Sequence, residues 1–393
     1  MGRKKNEETN VTENTTQGLV RGVIYDPEPV VEETNDFYDE EKSQFILEGL
    51  ASLSKETKQS MASVSDKEIR LIIDNYYQTQ SHRMNIANQI RAVIQEFDHV
   101  QEGEQPAIAW LLKDVENREN QIKKMIGEYV KHVPVCQWAM GVKGIGPVFA
   151  ANLWSYIDMG KCKHANQFLS YAGLNDNNAP WLGKEKATEI VNEVYKELGL
   201  VKVTEVNDDV LVRVANKSGR SFETVKRGYL SHKEKETAKA SDKTTLIKYL
   251  SKPPYNTDLK KMCYLIGESF VKVSNRGSLY GKIYQERKAW ETMRNDNLEY
   301  KEQADKLLAE KNYSKETDTY KCLIKGKLSP AHINSRAKRY AVKIFLTHFF
   351  EACWLYTYGT QPPVIYPIAH QDHVDYIEPE VPYSDYIKCK GTI

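Results

Sequence analysis

The sequence predicts a mainly α-helical protein, and three features carry this prediction. Apolar residues recur every three or four positions along 66–132, which is the pattern of amphipathic helices. A glycine turn ending at Gly146 is followed by Pro147, and proline favours the first position of a helix. Amphipathic patterns return over 256–292 and 330–358. With 393 residues, the chain is long enough for two or three folded units.

Charge is distributed unevenly along the chain. The formal net charge is +1, but residues 1–50 sum to −7 and residues 361–393 sum to −3. The segment 51–360 therefore carries +11. A basic body between acidic ends is typical of a protein that binds polyanions, because its summed field attracts them.

Composition excludes several classes of protein. No stretch of about 18 apolar residues is present, so we expect no membrane segment. Residues 1–8 lack the apolar core of a secretory signal. The six cysteines are scattered without a C-x-x-C pair, which indicates reduced thiols rather than disulfides or a zinc ribbon. Together these features predict a cytoplasmic protein.

The N-terminal third divides into an arm and a helical hairpin. Residues 1–65 are polar and acidic, which predicts a disordered arm. Residues 66–132 carry two apolar stripes separated by a break with Gly103 and Pro106. This pattern predicts two helices of about 30 and 25 residues that fold back on each other as a hairpin or coiled coil.

Two polar residues interrupt the first stripe of the helical hairpin. Gln80 and Arg83 stand at its middle, which favours a packed hairpin or a dimerisation arm over a long uniform zipper. As a scaffold, the segment 66–132 supports the rest of the chain. As a dimerisation arm, it joins two copies into a homodimer. The sequence leaves both interpretations open.

The strongest pattern opens a domain that we place over 133–360. Two glycines flank one apolar residue, proline follows, and small residues continue a helix, which is a helix-hairpin-helix pattern. Glycine allows the tight turn and the close approach of another backbone, and free N–H groups at a helix start bind phosphate oxygens. We therefore predict contact with the DNA backbone, with a purely structural turn as the alternative. The predicted contact residues are Lys143, Gly144, Ile145, Gly146 and Val148.

The segment 135–174 resembles a known family. Residues 144–147, Ala150, Phe168 and 171–174 match the signature "GIGPxxA … F … YAGL" of bacterial and archaeal insertion-sequence transposases. These are bridge-RNA-guided recombinases that pair a RuvC-like nuclease domain with a C-terminal helix-hairpin-helix domain, preceded by a coiled coil. The resemblance implies binding of double-stranded DNA in a mobile-element or phage setting, linked to DNA transposition and recombination. It also makes structured RNA a partner to consider.

The chain departs from this family in two ways. The nuclease needs a full α/β domain, and we expect none in residues 1–65. The family's catalytic serine follows the "YAGL" signature, where residues 175–181 contain neither Ser nor Thr. The resemblance therefore implies nucleic-acid binding without strand cleavage. We predict no catalytic residue, no metal site and no cofactor.

A charged helical insertion is predicted over about 184–252. Its segment 210–227 reads as a helix, a glycine turn and a second helix, which is the spacing of a helix-turn-helix. In that interpretation Arg220 and Thr224 contact DNA. A charged helical hairpin without a DNA role is the alternative.

Two further basic elements predict phosphate contacts. Lys272 and Arg276 lie in a basic segment interleaved with tyrosines, and a solvated loop is the alternative there. Arg336 and Arg339 lie on the polar side of the last amphipathic helix, for which a plain amphipathic helix is the alternative.

The tail 361–393 is predicted to be extended because it is rich in proline. Residues 370–375 hold two His and two Asp side chains. No further ligand stands nearby, which favours a surface strap over a metal site.

Three functional hypotheses result. The first is a catalytically incomplete, transposase-derived protein that binds the DNA backbone. The second is a recombinase subunit that receives its nuclease or guide RNA from another molecule. The third is an oligomeric scaffold.

Overall fold

The computed structural model describes residues 52–96, 106–175, 181–200, 205–235, 241–364 and 376–387. Within these residues every regular element is a helix, which confirms the mainly α prediction.

The first elements form the helical hairpin. Helix α1 (Lys55–Ser60) leads into α2 (Asp66–Glu96), and α3 (Pro106–Val130) returns along α2. Ile69 and Ile126 on their facing sides are fully buried. The hairpin therefore follows from apolar residues at helical spacing, as the sequence predicts.

The predicted disordered arm over 1–65 extends too far. Residues 52–65 are folded against the hairpin, where Ser54 caps α1 and Met61 is only 1% exposed. Burial of Met61 and a hydrogen bond from the Leu53 N–H to Gln121 Oε1 on α3 at 3.1 Å both hold this segment against the hairpin. Residues 1–51 lie outside the described part of the chain.

Three short helices follow the hairpin and contain the signature segment. They are α4 (Pro134–Gly141), α5 (Pro147–Tyr156) and α6 (Ala165–Tyr171). Helix α5 packs against both hairpin helices, so the hairpin and the glycine turn belong to one packed body.

The charged insertion folds as a four-helix unit. Its core is built by side chains such as Val191, Val214 and Leu246, all fully buried. Trp181 Nε1 donates a hydrogen bond to the carbonyl of Ser251 at 2.9 Å, which joins the two ends of the unit. The helices are α7 (Gly183–Glu197), α8 (Asp208–Ser218), α9 (Phe222–Lys235) and α10 (Asp242–Ser251).

The C-terminal half is organised by one long helix, which packs on α4 and α6 and on two helices of its own half. Phe345 and Phe349 of this helix meet Trp138 of α4 with ring centroids 6.4 Å apart in both pairs. The helices of this half are α11 (Thr257–Lys272), α12 (Leu279–Asp296), α13 (Lys301–Glu310), α14 (Asp318–Leu323) and the long α15 (Pro330–Tyr358).

Residues 376–387, here called the C-terminal strap, cross the body without forming an α-helix. Trp138 Nε1 donates to the carbonyl of Val381 at 2.8 Å. Tyr376 and Tyr383 each donate from their hydroxyl to the buried Glu351 carboxylate at 2.6 Å. The strap is therefore held by buried polar contacts. The predicted His and Asp cluster at 370–375 lies outside the described residues.

Candidate nucleic-acid interface

The segment 142–146, here called the glycine turn, is fixed by Gly144. Its φ is +95°, in the region that favours glycine, and its carbonyl accepts a hydrogen bond from Ser269 Oγ at 2.6 Å. A Cβ at Gly144 would lie 3.1 Å from Ser269 Oγ and 3.2 Å from Val273 Cγ2. The predicted close approach of another backbone is therefore wrong within the described chain, because side chains of Ser269 and Val273 make the approach. The predicted contact residue Ile145 is buried beside them.

Gly146 has the opposite environment. It stands before α5 with φ −97°, and a Cβ built on it meets no atom within 4 Å. Pro147 occupies the first position of the helix and has no N–H to lose. The N–H groups of Val148 and Phe149 find no acceptor among the described residues. Gly146 therefore borders a helix start whose free N–H groups and dipole favour an anion, while the side chain of the predicted contact residue Val148 is buried.

Two lysines of the helical hairpin flank this helix start. A cavity of about 500 Å³ separates α3 from Pro147. Lys123 and Lys124 on its wall are exposed, and neither pairs with a carboxylate of the described residues. The structure thus places two unpaired positive charges beside a helix start. The cavity is lined by Asn117, Asn120, Gln121, Lys123, Lys124 and Pro147.

Sequence reasoning did not find these lysines. They lie on the polar face of an amphipathic helix, where exposed lysines are expected without any special role. Their spacing from Asn117 and Asn120 places all four on neighbouring turns of α3. The sequence shows this polar stripe of α3, but its position next to Pro147 depends on how α3 packs on α5.

The structure also brings Lys143, Lys272 and Arg276 together at one edge of the turn. Lys143 Nζ donates to the carbonyl of Gly277 at 2.9 Å, so the 272–277 segment lies beside the turn. All three cationic side chains are exposed. They form a second basic group next to the turn.

Arg336 is engaged within the protein. Its Nε lies 2.8 Å from Oε2 of Glu291, a carboxylate that is 1% exposed and also accepts from Arg287 and Tyr300. Burial opposes ionisation of Glu291, but the donors Tyr300, Arg336 and Arg287 outweigh it and lower the pKa of its carboxyl. The phosphate contact predicted for Arg336 is therefore not supported, because breaking the pair would leave the buried Glu291 charge without this partner.

Arg339, by contrast, is exposed and has no carboxylate partner in the described chain. The pKa of the nearby His332 is lowered by burial and then by the charges of Arg336, Arg339 and Lys311. These cations form a separate positive area around the start of α15.

Arg220 and Thr224 lie on the four-helix unit. Gly219 ends α8 in the left-handed conformation, and α9 begins after Ser221, so this segment has the predicted helix–glycine–helix form. Arg220 Nη2 donates to the carbonyl of Leu250 at 3.3 Å and so contacts its own unit. Thr224 is exposed on the first turn of α9. Of these two predicted residues, only Thr224 lies on an open surface.

The second half of the transposase-like signature has a structural role. Gly173 ends α6 with φ +68°, and a Cβ there would lie 2.8 Å from the ring of Tyr255. Phe168 and Ala172 are fully buried. These residues hold the end of α6 against the start of α11.

No protein-family model matches this chain, and neither a curated protein nor a solved structure matches it significantly. The resemblance to transposases therefore stays a prediction based on the signature residues. Across the part of the chain that the structure describes, each helix is too short or too polar to cross a bilayer.

Proposed function

We propose that this protein binds double-stranded DNA through the sugar–phosphate backbone, with the glycine turn and the start of α5 as the contact. One observation carries the proposal. The N–H groups of Val148 and Phe149, which have no acceptor among the described residues, begin a helix whose Pro147 borders the same cavity as Lys123 and Lys124. Free backbone donors at a helix start, with unpaired cations nearby, favour the binding of a phosphate group.

The neighbouring basic group extends this contact. Lys143 contacts the 272–277 segment, which contributes the exposed Lys272 and Arg276, so further positive charge lies near the turn. Contacts to phosphate carry no base sequence, and we therefore propose binding with little sequence preference. Such binding weakens steeply as salt rises from about 50 to 200 mM, because bound counterions are released from DNA.

The signature residues favour a second candidate, a recombinase subunit that acts with a nuclease or guide RNA supplied by another molecule. Its chemistry would not come from residues 175–181, which lack a serine or threonine. We expect the purified chain with magnesium to bind DNA without nicking or joining it. Cleavage that is lost on replacing one carboxylate or serine would favour the enzyme.

The deciding experiment replaces Lys123 and Lys124 together by glutamine. Fluorescence anisotropy with a labelled duplex should show weaker binding and a salt slope reduced by about 2, since each lysine lost removes about one phosphate contact. The matched control is Lys315→Gln with Lys325→Gln, two exposed lysines elsewhere that have no carboxylate partner among the described residues. Equal loss in both double variants, or salt-independent binding, would contradict the proposed interface.

A further inference from the structure

The C-terminal strap brings a carboxylate into the glycine turn. Oε1 of Glu380 accepts a hydrogen bond from the backbone N–H of Lys143 at 3.2 Å. Its Oε2 accepts from the backbone N–H of Leu279 at 3.0 Å, and Ser278 Oγ lies 3.5 Å from the same oxygen. One side chain therefore spans the turn and the first residue of α12, two elements far apart in sequence.

The place that Glu380 occupies suits an anion. Two backbone N–H groups from separate elements converge on it, and Leu279 contributes the positive end of the 18-residue α12. Lys143 reaches the carbonyl of Gly277, so two exposed cations, Lys143 and Arg276, lie near this edge of the turn. A carboxylate and a phosphate both present two acceptor oxygens to such donors. The chemistry that holds Glu380 would hold a nucleic-acid phosphate equally well.

We propose that Glu380 is a resident anion that a phosphate of the nucleic-acid backbone displaces, so that the strap regulates the affinity of the turn for DNA. This inference rests on the proposed function and deepens it. It assigns a second phosphate position, at Lys143 and Leu279, beside the one at the start of α5.

The anchors of the strap allow this exchange. Val381 is bound by Trp138, the carbonyl of Ile377 is bound by His348, and the strap's tyrosines are bound to Glu351. None of these contacts uses the Glu380 side chain. A rotation of that side chain frees the two N–H groups while the strap stays packed, and an incoming phosphate restores their hydrogen bonds.

The negative charge of the C-terminal strap supports a role in which Glu380 competes with DNA phosphate for the turn. Residues 376–387 contain three acidic and no basic side chains. While Glu380 stays in place, its negative charge faces any phosphate that approaches the turn. Removing that charge should therefore strengthen DNA binding, whereas removing a cap with a purely structural role should only lower stability.

The test compares wild type, Glu380→Gln and Asp385→Asn by anisotropy with a labelled duplex at about 50 mM salt and over a salt series. Asp385 is exposed on the same strap and makes no side-chain contact with the turn, so it controls for charge alone. We expect Glu380→Gln to bind about fivefold more tightly with a salt slope steeper by about one, and Asp385→Asn to stay close to wild type.

A second variant covers the case in which Glu380→Gln does not fold. Glu380→Asp keeps the charge but is one methylene too short to reach both N–H groups, so we expect a smaller gain in affinity. Wild-type affinity in the folded variants, or an equal gain in Asp385→Asn, overturns the inference. If wild type binds DNA and the Glu380 variants bind it with the same affinity, only this inference is refuted. Absence of binding by every protein refutes the proposed function itself.

Discussion

Arg83 Nε on α2 lies 2.7 Å from Oε2 of Glu119 on α3, inside the helical hairpin. Gln80 Nε2 donates to the other oxygen of the same carboxylate at 3.2 Å. Glu119 is 9% exposed. The two residues that interrupt the apolar stripe of α2 thus share one acidic partner, which sets the register of the two helices.

Replacing Glu119 by alanine should destabilise the protein by about 1–2 kcal/mol, because Arg83 and Gln80 lose a partly buried carboxylate acceptor. Urea unfolding followed by circular dichroism measures this change. Asp114→Asn is the control, since Asp114 pairs with the largely exposed Arg118 at 3.4 Å and should cost less than about 0.5 kcal/mol. If both variants lose similar amounts of unfolding free energy, the buried Arg83–Glu119 pair stabilises the protein no more than an exposed pair.

The homodimer predicted for residues 66–132 has a candidate contact. Ile108, Trp110 and Leu111 near the start of α3 are 40%, 48% and 45% exposed, so three large apolar side chains lie close together in sequence at the surface. If two hairpins meet there, Trp110→Ser with Leu111→Ser should convert a dimer into a monomer and weaken DNA binding through lost avidity. Light scattering at micromolar concentration measures the mass.

Ile324→Ser is the control for the dimer prediction, because Ile324 is 56% exposed and lies outside the hairpin. A monomeric wild type would remove the dimer and leave the scaffold interpretation of the hairpin.

The two glycines of the turn should respond differently to substitution. Gly146→Val has room for its side chain, so the fold should survive while DNA binding weakens at the covered helix start. Gly144→Ala forces alanine to φ +95° against Ser269 and should lower stability by about 1–2 kcal/mol. Thermal unfolding and anisotropy on both variants separate the effects. Unfolding of Gly146→Val would favour a purely structural turn.

His348 should make stability depend on pH. Its Nε2 donates to the carbonyl of Ile377 and its Nδ1 accepts from the Tyr280 hydroxyl, both at 2.8 Å. Burial lowers the pKa of His348 from 6.5 to about 4. The unfolded chain therefore binds more protons than the folded one between these values, and up to about 3 kcal/mol of stability is lost as pH falls from 6.5 to 4.

The measurement is the free energy of unfolding of wild type and His348→Gln over this pH range, in which the variant should lack most of the slope. Glu351, which lies on the same side of α15, acts in the opposite direction. Burial raises the pKa of its carboxyl, so its protonation adds stability as the pH falls. The difference in unfolding free energy between wild type and His348→Gln isolates the contribution of the histidine. If the two free energies change in parallel with pH, the lowered pKa of His348 is contradicted.

Much of the fold was predictable because local spacing decides it. The apolar stripes of 66–132 specify α2 and α3, and both α3 and α5 begin at a proline, Pro106 and Pro147. These features depend on residues within one or two helical turns. Sequence reasoning erred at residues 52–65, because contacts with the distant α3 order this segment, among them buried Met61 and the Leu53–Gln121 hydrogen bond.

The sequence by itself therefore determined the helices, the glycine turn and the basic character of the body. Only the tertiary structure determined which charged side chains lie near the glycine turn. Lys123 and Lys124 reach the start of α5 because α3 packs on it, and Arg336 is engaged because Glu291 on α12 is buried beneath it. Glu380 enters the turn 237 residues from its partner Lys143. Such pairings depend on packing between distant segments, and no local pattern encodes them.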